Sequence, residues 1–259
     1  MCHGPRAAVS PAPCDDPGVA LDPDRELAEL QAYLGERFDL ERLQRHEDGV
    51  REEWAAVDDA ERFYRTSESY LYDLTAFAMT GVKAPYHERL RALVPRGARV
   101  LDLGCGIGSD GLSLLEDGYD VTFADFDNPS TAYLRWRLGH RGHDADVLDL
   151  DGLPADLPSF DAVYAFDVVE HATDPEAVLV RMEGLGGLVV ANLLDTDGDE
   201  LELHQPMPLR RLLGRAAPGL VEHRLLHERS HLVAYRPGAR PRRARDAWRT
   251  WRMLHARAR

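Results

Sequence analysis

Four glycines and an aspartate lie close together in the stretch RVLDLGCGIGSDGLSL, residues 99–114. Gly104, Gly106 and Gly108 alternate with other residues, and Asp102 lies two positions before the first of them. Glycine has no Cβ, so a backbone built from it can approach a ligand closely. In open parallel sheets, ligands bind beyond the carboxyl ends of the strands. The stretch therefore predicts a ligand-binding turn between a strand and a helix.

The segments from Arg99 onward alternate between strand-like and helix-like patterns. Such alternation predicts parallel strands joined by right-handed crossovers. We therefore predict an α/β fold with a doubly wound, mostly parallel seven-stranded sheet. Thr173 and Glu176 have capping-box spacing and are expected to open one helix. The predicted strands are RVLDLG, DVTFAD, HDADVLD, FDAVYAFD, GLVVANLL, LVEHRLL and SHLVAYR, and the helices between them are SDGLSLLEDG, PSTAYLRWRLGHRG, DPEAVLVRMEGL and PMPLRRLLGRA.

Composition and pattern divide the chain into four segments. Residues 1–22 are rich in proline and alanine, which predicts a disordered tail. Residues 23–96 have apolar positions at helical spacing and predict a helical cap or lid. Residues 97–236 form the α/β domain, and residues 237–259 a strongly basic tail. We expect that tail to be a solvated helical end; contact with RNA or an acidic partner and docking onto the acidic body are alternatives.

The overall composition narrows the classes of partner. The 259-residue chain carries a formal net charge of −14, which argues against a nucleic-acid partner, because phosphate binding needs clustered cations. No apolar run approaches the roughly 20 residues of a membrane span, and no secretory signal pattern opens the sequence, so we expect a cytoplasmic protein. The three cysteines form no Cys-x-x-Cys pair, and no metal is expected. The single lysine, Lys83, is attributed to coding bias.

Two ligand classes fit the glycine turn. A dinucleotide fits the spacing G-x-G-x-x-G that starts at Gly106, with Asp125 about 20 residues further on. S-adenosylmethionine fits the spacing G-x-G-x-G that starts at Gly104. A pyrophosphate prefers free N–H groups at a helix start and no carboxylate nearby. S-adenosylmethionine has no phosphate but carries an ammonium and a sulfonium, so Asp102 favours this second ligand.

Later strand ends support the same choice. Asp125 ends the segment VTFAD, where a carboxylate can accept both ribose hydroxyls, and Phe126 can cover the adenine. Asp149 is placed to accept the adenine amino group, with Leu150 against the ring. Phe166 follows a third strand, at the mouth of the expected cleft.

The order of these motifs resembles that of class I S-adenosylmethionine-dependent methyltransferases. The resemblance rests on VLDLGCGIG, VTFADFD, DLDGLP, FDAVYAFDVVEHATDPEAVL and LGGLVVAN, within residues 98–235. It implies a Rossmann-like methyltransferase fold, a methionine part at the glycine turn, the ribose at Asp125 and the adenine at Asp149 and Leu150. The cofactor-binding residues that we expect are Arg65, Asp102, Gly104, Cys105, Gly106, Gly108, Asp125, Phe126, Asp149, Leu150 and Phe166.

Catalysis of methyl transfer depends mainly on orientation, and a base helps when the acceptor is a hydroxyl or an ammonium. The catalytic candidates are Tyr64, Tyr70, Glu170, His171 and Asn192. The alternatives are a structural histidine, a loop-fixing asparagine and a solvated or capping glutamate.

The aromatic segment FYRTSESYLYDLTAF is either a helix packed on the core or a lid over the cleft. As a lid, its aromatic faces would stabilise a sulfonium, and closure would exclude water. Arg65 could then hold the cofactor's carboxylate.

Three activities are compatible with these residues. The first is methyl transfer to a small molecule. The second follows from a resemblance to azetidine-2-carboxylate synthases, which share the fold. The resemblance rests on the helical segment, GCGIGSDGLSL and FADFDNPSTAYLRWR. That resemblance implies a cofactor whose own amine attacks its γ-carbon, which releases methylthioadenosine. The third is an inactive cofactor-binding subunit that serves as an interaction module.

Overall fold

A seven-stranded sheet forms the centre of the computed structural model, which describes residues 21–57, 59–154, 157–196 and 203–256. The tail predicted to be disordered lies outside the described residues, except for its last two positions. The strand order is β3-β2-β1-β4-β5-β7-β6. The strands are β1 (Arg99–Leu103), β2 (Asp120–Asp125), β3 (Val147–Asp149), β4 (Ala162–Ala165), β5 (Val189–Leu194), β6 (Leu220–Leu226) and β7 (Ser230–Tyr235).

Strands β1 to β5 pair in parallel, and β7 pairs antiparallel with both β5 and β6. The predicted doubly wound, mostly parallel sheet is therefore confirmed. The chain builds outward from β1 to β3 and then returns to place β4 on the other side of β1. This reversal creates the switch point at which such sheets bind ligands.

Helices cover both faces of the sheet, because its central strands are apolar on both sides. One core cluster joins α6, α7 and α8 to the sheet, and the other joins α9, α10 and α11. The helices are α1 (Pro23–Leu34), α2 (Leu40–Gln44), α3 (His46–Ala55), α4 (Ala60–Thr66), α5 (Ser69–Met79), α6 (Ala84–Leu93), α7 (Ser109–Glu116), α8 (Pro129–Arg141), α9 (Pro175–Leu185), α10 (Leu209–Ala216) and α11 (Arg243–Leu254).

The start of α9 differs from the sequence-based expectation. Asp174 is the N-cap, and its side chain accepts hydrogen bonds from the N–H groups of Glu176 and Ala177. Pro175 occupies the first helical position, where its fixed φ suits a helix start. The predicted capping box from Thr173 is therefore wrong by one residue.

A buried ionic cluster fixes the N-terminal helices against the α/β domain. Arg137 on α8 is fully buried and binds Glu26 and Glu29 of α1. The same guanidinium donates to the carbonyl of Ile107 at 3.0 Å and to Ser109 Oγ at 2.9 Å. The cluster therefore connects α1 directly to the glycine turn.

The basic C-terminal segment contains α11, which packs against α10. Met253 on this helix is 1% exposed, whereas Trp248 and Trp251 are more than half exposed. One side of the helix thus joins the domain core and the other faces solvent. Within the described ranges, no helix is long and apolar enough to cross a bilayer.

Candidate active site

The glycine turn follows β1 and enters α7, as predicted. Gly104, Gly106 and Gly108 have φ values of +73°, +52° and +74°, in the left-handed region that favours glycine. A Cβ on Gly104 would lie 2.6 Å from Val168, and one on Gly106 would lie 2.9 Å from Leu74. The turn therefore requires glycine both for its backbone conformation and for the close approach of two neighbouring segments.

Gly108 has a different role from the one expected. It caps the start of α7, and a Cβ there would lie 2.3 Å from Leu134 on α8. Gly104, Cys105 and Gly106 line the cavity at this edge of the sheet, and Gly108 does not. Gly108 thus shapes the turn by helix packing, without facing the candidate ligand.

Asp102 lies beneath the turn and is 3% exposed. It does not line the cavity, and its Oδ2 has no hydrogen-bond partner among the described residues. Burial and the neighbouring Asp110 raise the pKa of Asp102 to about 8. The expectation that Asp102 attracts the cofactor's cation is corrected here, because a buried carboxyl with this pKa is mostly neutral at pH 7.

Asp125 and Phe126 follow β2 and line the cavity, where the sequence predicted them. Asp125 Oδ2 accepts a hydrogen bond from the Gly106 N–H at 2.7 Å, and Oδ1 accepts one from the Phe126 N–H at 2.7 Å. Burial raises the pKa of Asp125 despite these two hydrogen bonds. The carboxylate therefore holds the glycine turn in place and lines the cavity.

Arg65 does not reach the cavity lining. Its guanidinium forms ion pairs with Glu61 and Asp151, both at 2.7 Å, and lies 4.2 Å over the ring of Phe126. Arg65 is therefore not placed to hold a cofactor carboxylate, contrary to the sequence-based prediction. Arg65 instead covers an aromatic side chain of the site from outside.

Of the two residues predicted to contact the adenine at the end of β3, one lines the cavity. Leu150 lines the cavity, and its carbonyl accepts a hydrogen bond from Arg181 at 2.8 Å. Asp149 does not line the cavity, because its side chain turns back to cap a 3-10 helix and accepts the Asp151 N–H. The adenine contact predicted for Asp149 is not supported by this placement.

The loop after β4 carries the polar side chains nearest the turn. Asp167 has a φ of +57°, which is uncommon for a residue with a side chain. Its N–H donates to Asn192 Oδ1 at 2.7 Å, and its Oδ1 accepts from Asn192 Nδ2 at 2.7 Å. Asn192 is fully buried on β5 and does not line the cavity. It is therefore a positioning residue for Asp167 and not a catalytic one.

Glu170 and His171 lie in the 3-10 helix that follows, and both line the cavity. Glu170 is 1% exposed, and within the part of the chain that the structure describes its Oε2 has no hydrogen-bond partner. Burial and the nearby Asp167 raise the pKa of Glu170 to about 8. Burial and His204 lower the pKa of His171 to about 4, so its ring is neutral at pH 7. Groups perturbed in this way in a cavity are candidates for proton transfer.

Helices α4 and α5 form the roof of the cavity. The Tyr64 hydroxyl lies 3.0 Å from His171 Nδ1, and the Tyr64 carbonyl accepts from Asn128 Nδ2 at 3.0 Å. Tyr70 packs edge-on against Tyr64 with a centroid distance of 5.4 Å. Burial raises the pKa of both tyrosines above the usual range, so both rings remain neutral. The roof is thus joined to both sides of the cleft.

Lys83, the single lysine, lies in the site although the sequence analysis gave it no role. Its Nζ is 3.0 Å from Asp110 Oδ2, 3.2 Å from the Phe166 carbonyl and 3.6 Å from Asp167 Oδ2. Burial disfavours its charge, but the two carboxylates outweigh burial and raise the pKa of Lys83. A lone lysine in an arginine-rich chain was the signal that could have identified it.

These segments line a cleft of about 830 Å³, mostly apolar in lining, within the size range of small-molecule sites. It runs from Phe126 and Leu150 past the glycine turn to Asp167 and Glu170. Phe166, 3% exposed, lines it between Tyr86 and Tyr164. No group of three potential ligands arranged for a metal ion occurs among the described side chains.

The lining fits a positively charged nucleoside better than a dinucleotide. A pyrophosphate at the start of α7 would meet the carboxylates of Asp110 and Asp125, and Lys83 is already paired with Asp110. A ligand with a sulfonium and an ammonium would instead meet carboxylates and aromatic rings, which stabilise cations. S-adenosylmethionine therefore fits the residues present.

Comparison with known proteins agrees with this geometry. Residues 101–185 match the family model described as a methyltransferase domain. This part of the chain is similar to class I S-adenosylmethionine-dependent methyltransferases. The matched region contains the glycine turn, Asp125 and the loop after β4. The resemblance that the motif order indicated is thus confirmed over residues 101–185.

Three similar proteins illustrate the range of relatives. The chain is 37% identical over 90 residues to a ubiquinone biosynthesis O-methyltransferase of Xanthomonas axonopodis pv. citri, over 34% of this chain and 38% of the relative. It is 26% identical over 118 residues to a tRNA U34 carboxymethyltransferase of Trichlorobacter lovleyi, over 42% and 36%. An O-methyltransferase family protein from Burkholderia thailandensis has the same fold, with a TM-score of 0.52, 16% identity and coverage of 75% and 71%. The chain thus matches less than two fifths of either curated relative.

Proposed function

We propose that this chain is an S-adenosylmethionine-dependent methyltransferase that acts on a small-molecule acceptor. The observation that carries the proposal is the continuity of one cavity from the Asp125 side of the glycine turn to Glu170 beyond β4. One end of that cavity suits a nucleoside, and the other has room and polar groups for a second reactant. The roof of α4 and α5 limits the acceptor to a small molecule.

The chain's own residues divide the work of binding. Asp125 would accept the ribose hydroxyls, while Phe126 and Leu150 would pack against the adenine. The backbone of Gly104 to Gly106 would lie along the amino-acid part. When bound, S-adenosylmethionine supplies a methyl group on a positively charged sulfur.

Orientation and exclusion of water would supply most of the acceleration. Tyr64 and Tyr70 close the cavity from above, and their neutral rings favour a cation beneath them. His171, neutral at pH 7, and Glu170 are the groups that could accept a proton from the acceptor. Asn192 holds Asp167, which fixes the shape of the loop between them.

A second candidate function is the intramolecular cyclisation that yields azetidine-2-carboxylate and methylthioadenosine. One observation favours it. Tyr64 contacts His171 on one side of the cleft and Asn128 on the other, so the roof is fixed low over the glycine turn. A low roof suits a bent methionine chain and leaves less room for an acceptor.

One incubation separates these functions. Purified protein is mixed with S-adenosylmethionine alone, and the products are followed by mass spectrometry. Methyl transfer predicts an unchanged cofactor until an acceptor is added, and then S-adenosylhomocysteine. Cyclisation predicts methylthioadenosine and a cyclic amino acid without any acceptor. Tight cofactor binding with no product from any acceptor would contradict both and favour the interaction module.

A further inference from the structure

Two buried carboxylate oxygens without hydrogen-bond partners among the described residues lie at the far end of the cavity. Asp167 Oδ2 and Glu170 Oε2 are both inaccessible to solvent and accept no hydrogen bond within the described part of the chain. Both residues line the cavity. An unpaired buried carboxylate is costly unless a cation or a donor satisfies it. The arrangement therefore indicates a ligand that brings positive charge or N–H groups.

Lys83 supplies part of that charge but shares it with Asp110. Lys83 is 3.6 Å from Asp167 Oδ2, but its closer contact is Asp110 at 3.0 Å. Asp110 also contacts His87 Nε2 at 2.8 Å. Burial favours the neutral form of Asp110, yet Lys83 and His87 outweigh it and hold the pKa of Asp110 well below its usual range.

His171 and Tyr64, which also lie near Glu170, are uncharged at pH 7. His171 has its pKa lowered to about 4, and Tyr64 has its pKa raised. One lysine thus faces Asp110, Asp167 and Glu170. Among the described residues, no lysine or arginine nitrogen lies within ion-pair distance of Glu170.

Backbone strain at Asp167 indicates that the surrounding structure holds this carboxylate in a fixed position. The left-handed φ of +57° is energetically unfavourable at a residue with a side chain. Two hydrogen bonds offset that cost: the Asp167 N–H donates to Asn192 Oδ1, and the fully buried Asn192 donates from Nδ2 to Asp167 Oδ1. Strain maintained by surrounding contacts tends to occur at functional sites.

We propose that Asp167 and Glu170 bind a protonated amine and that Glu170 accepts the proton that frees the nitrogen lone pair. The inference rests on the proposed function, and it specifies the nucleophile as an amine. The raised pKa of Glu170, about 8, supports it, because proton transfer from an amine is easier to a more basic carboxylate.

The proton transfer balances within the site. An N–H bond of the ammonium breaks, its electron pair stays on nitrogen, and the proton forms an O–H bond with Glu170. The products are a neutral amine and a neutral carboxylic acid. The same ammonium chemistry has two sources: an amine acceptor, which would make the chain an N-methyltransferase, or the α-amine of the cofactor itself, which would favour cyclisation.

Binding measurements on the full chain test this subsite without a turnover assay. The probes are S-adenosylhomocysteine, which carries the α-ammonium, and 5′-methylthioadenosine, which lacks it. Benzylammonium, with benzyl alcohol as its neutral counterpart, is titrated into protein saturated with S-adenosylhomocysteine. The variants are Glu170→Gln and Asp167→Asn. The matched controls are Glu41→Gln and Asp120→Asn, at side chains 76% and 66% exposed.

Each pattern of affinities has a defined meaning. A loss of tenfold or more for S-adenosylhomocysteine in Glu170→Gln, with methylthioadenosine unchanged, supports the subsite with the cofactor's amine as its ligand. Unchanged S-adenosylhomocysteine affinity, with benzylammonium binding lost in the variant, supports it with an acceptor amine. Wild-type affinity of both variants for both ammonium probes, or no benzylammonium binding with unchanged S-adenosylhomocysteine affinity, overturns it.

Proton release provides a readout that a purely structural role would not change. At pH 7 a mostly neutral Glu170 that takes up an ammonium should release up to one proton to the buffer. Calorimetry in buffers of different ionisation enthalpy measures this release, which should disappear in Glu170→Gln. If wild-type protein binds neither adenosine compound, the proposed function fails; if it binds both but releases no proton with any ammonium probe, only the amine subsite fails.

Discussion

Replacing Asp125 with alanine tests the assignment of the ribose position. Asp125 accepts two backbone N–H groups at 2.7 Å and lines the cavity. Hydrogen bonds to a charged acceptor contribute about 1.5 to 3 kcal/mol each. Because the oxygens are already shared with Gly106 and Phe126, we expect the ribose contact to contribute about 1 to 3 kcal/mol, or roughly 5- to 150-fold in affinity.

A ligand pair separates the ribose contact from movement of the turn. Adenosine and 2′,3′-dideoxyadenosine are titrated calorimetrically into wild-type protein and Asp125→Ala. Wild-type protein should prefer adenosine by the factor given above, and the variant should show little preference. Asp127→Ala, with a side chain 72% exposed two residues along, is the matched control and should behave as wild type. An equal preference for adenosine in wild type and Asp125→Ala would refute the reasoning.

Three further predictions address the turn, its support and its pH dependence. Arg137→Met removes the fully buried cation from Glu26 and Glu29 and leaves Arg141 as their buried partner, so the free energy of unfolding in urea should fall by up to about 3 to 5 kcal/mol. The partly exposed Arg135→Met should change it by less than about 0.5 kcal/mol; similar losses in both would contradict the cluster's role. Gly106→Val combines a left-handed φ with contact to Leu74 and should abolish S-adenosylhomocysteine binding; retained affinity would contradict our account of the turn. His171 has a pKa of about 4 when folded and about 6.5 when unfolded, so the unfolded chain binds more protons and stability falls as pH drops from about 6.5 to 4. Denaturation curves of His171→Gln should show a shallower fall in that window, and parallel curves would show that His171 does not contribute.

The sequence predicted the fold because its signals are local. Apolar runs bounded by glycines gave the strands, and the alternation with helical segments gave the parallel order. Asp125, Phe126 and Phe166 were predicted as site residues because each follows a strand, and carboxyl ends of parallel strands share one edge. Cys105 was predicted from its position between two glycines of the turn.

Side-chain direction and long-range partners account for the residues predicted incorrectly. Asp102 lies within β1, where its buried side chain cannot reach the turn's ligand face. Arg65 forms an ion pair with Asp151, which lies 86 residues further along the chain. Asn192 meets Asp167 only because β4 and β5 are neighbours. No local sequence pattern encodes these pairings. The ion pairs of Lys83, between α5 and α6, with Asp110 and Asp167 are likewise not encoded locally.

The central claim is that S-adenosylmethionine binds along the cavity between Asp125 and Glu170. A crystal structure of the protein with S-adenosylhomocysteine tests it most directly. The account predicts the ribose at Asp125, the adenine between Phe126 and Leu150, and the amino-acid part beside Gly104 and Gly106 under α5. Density for the nucleoside elsewhere on the protein, with the glycine turn free of ligand, would contradict it.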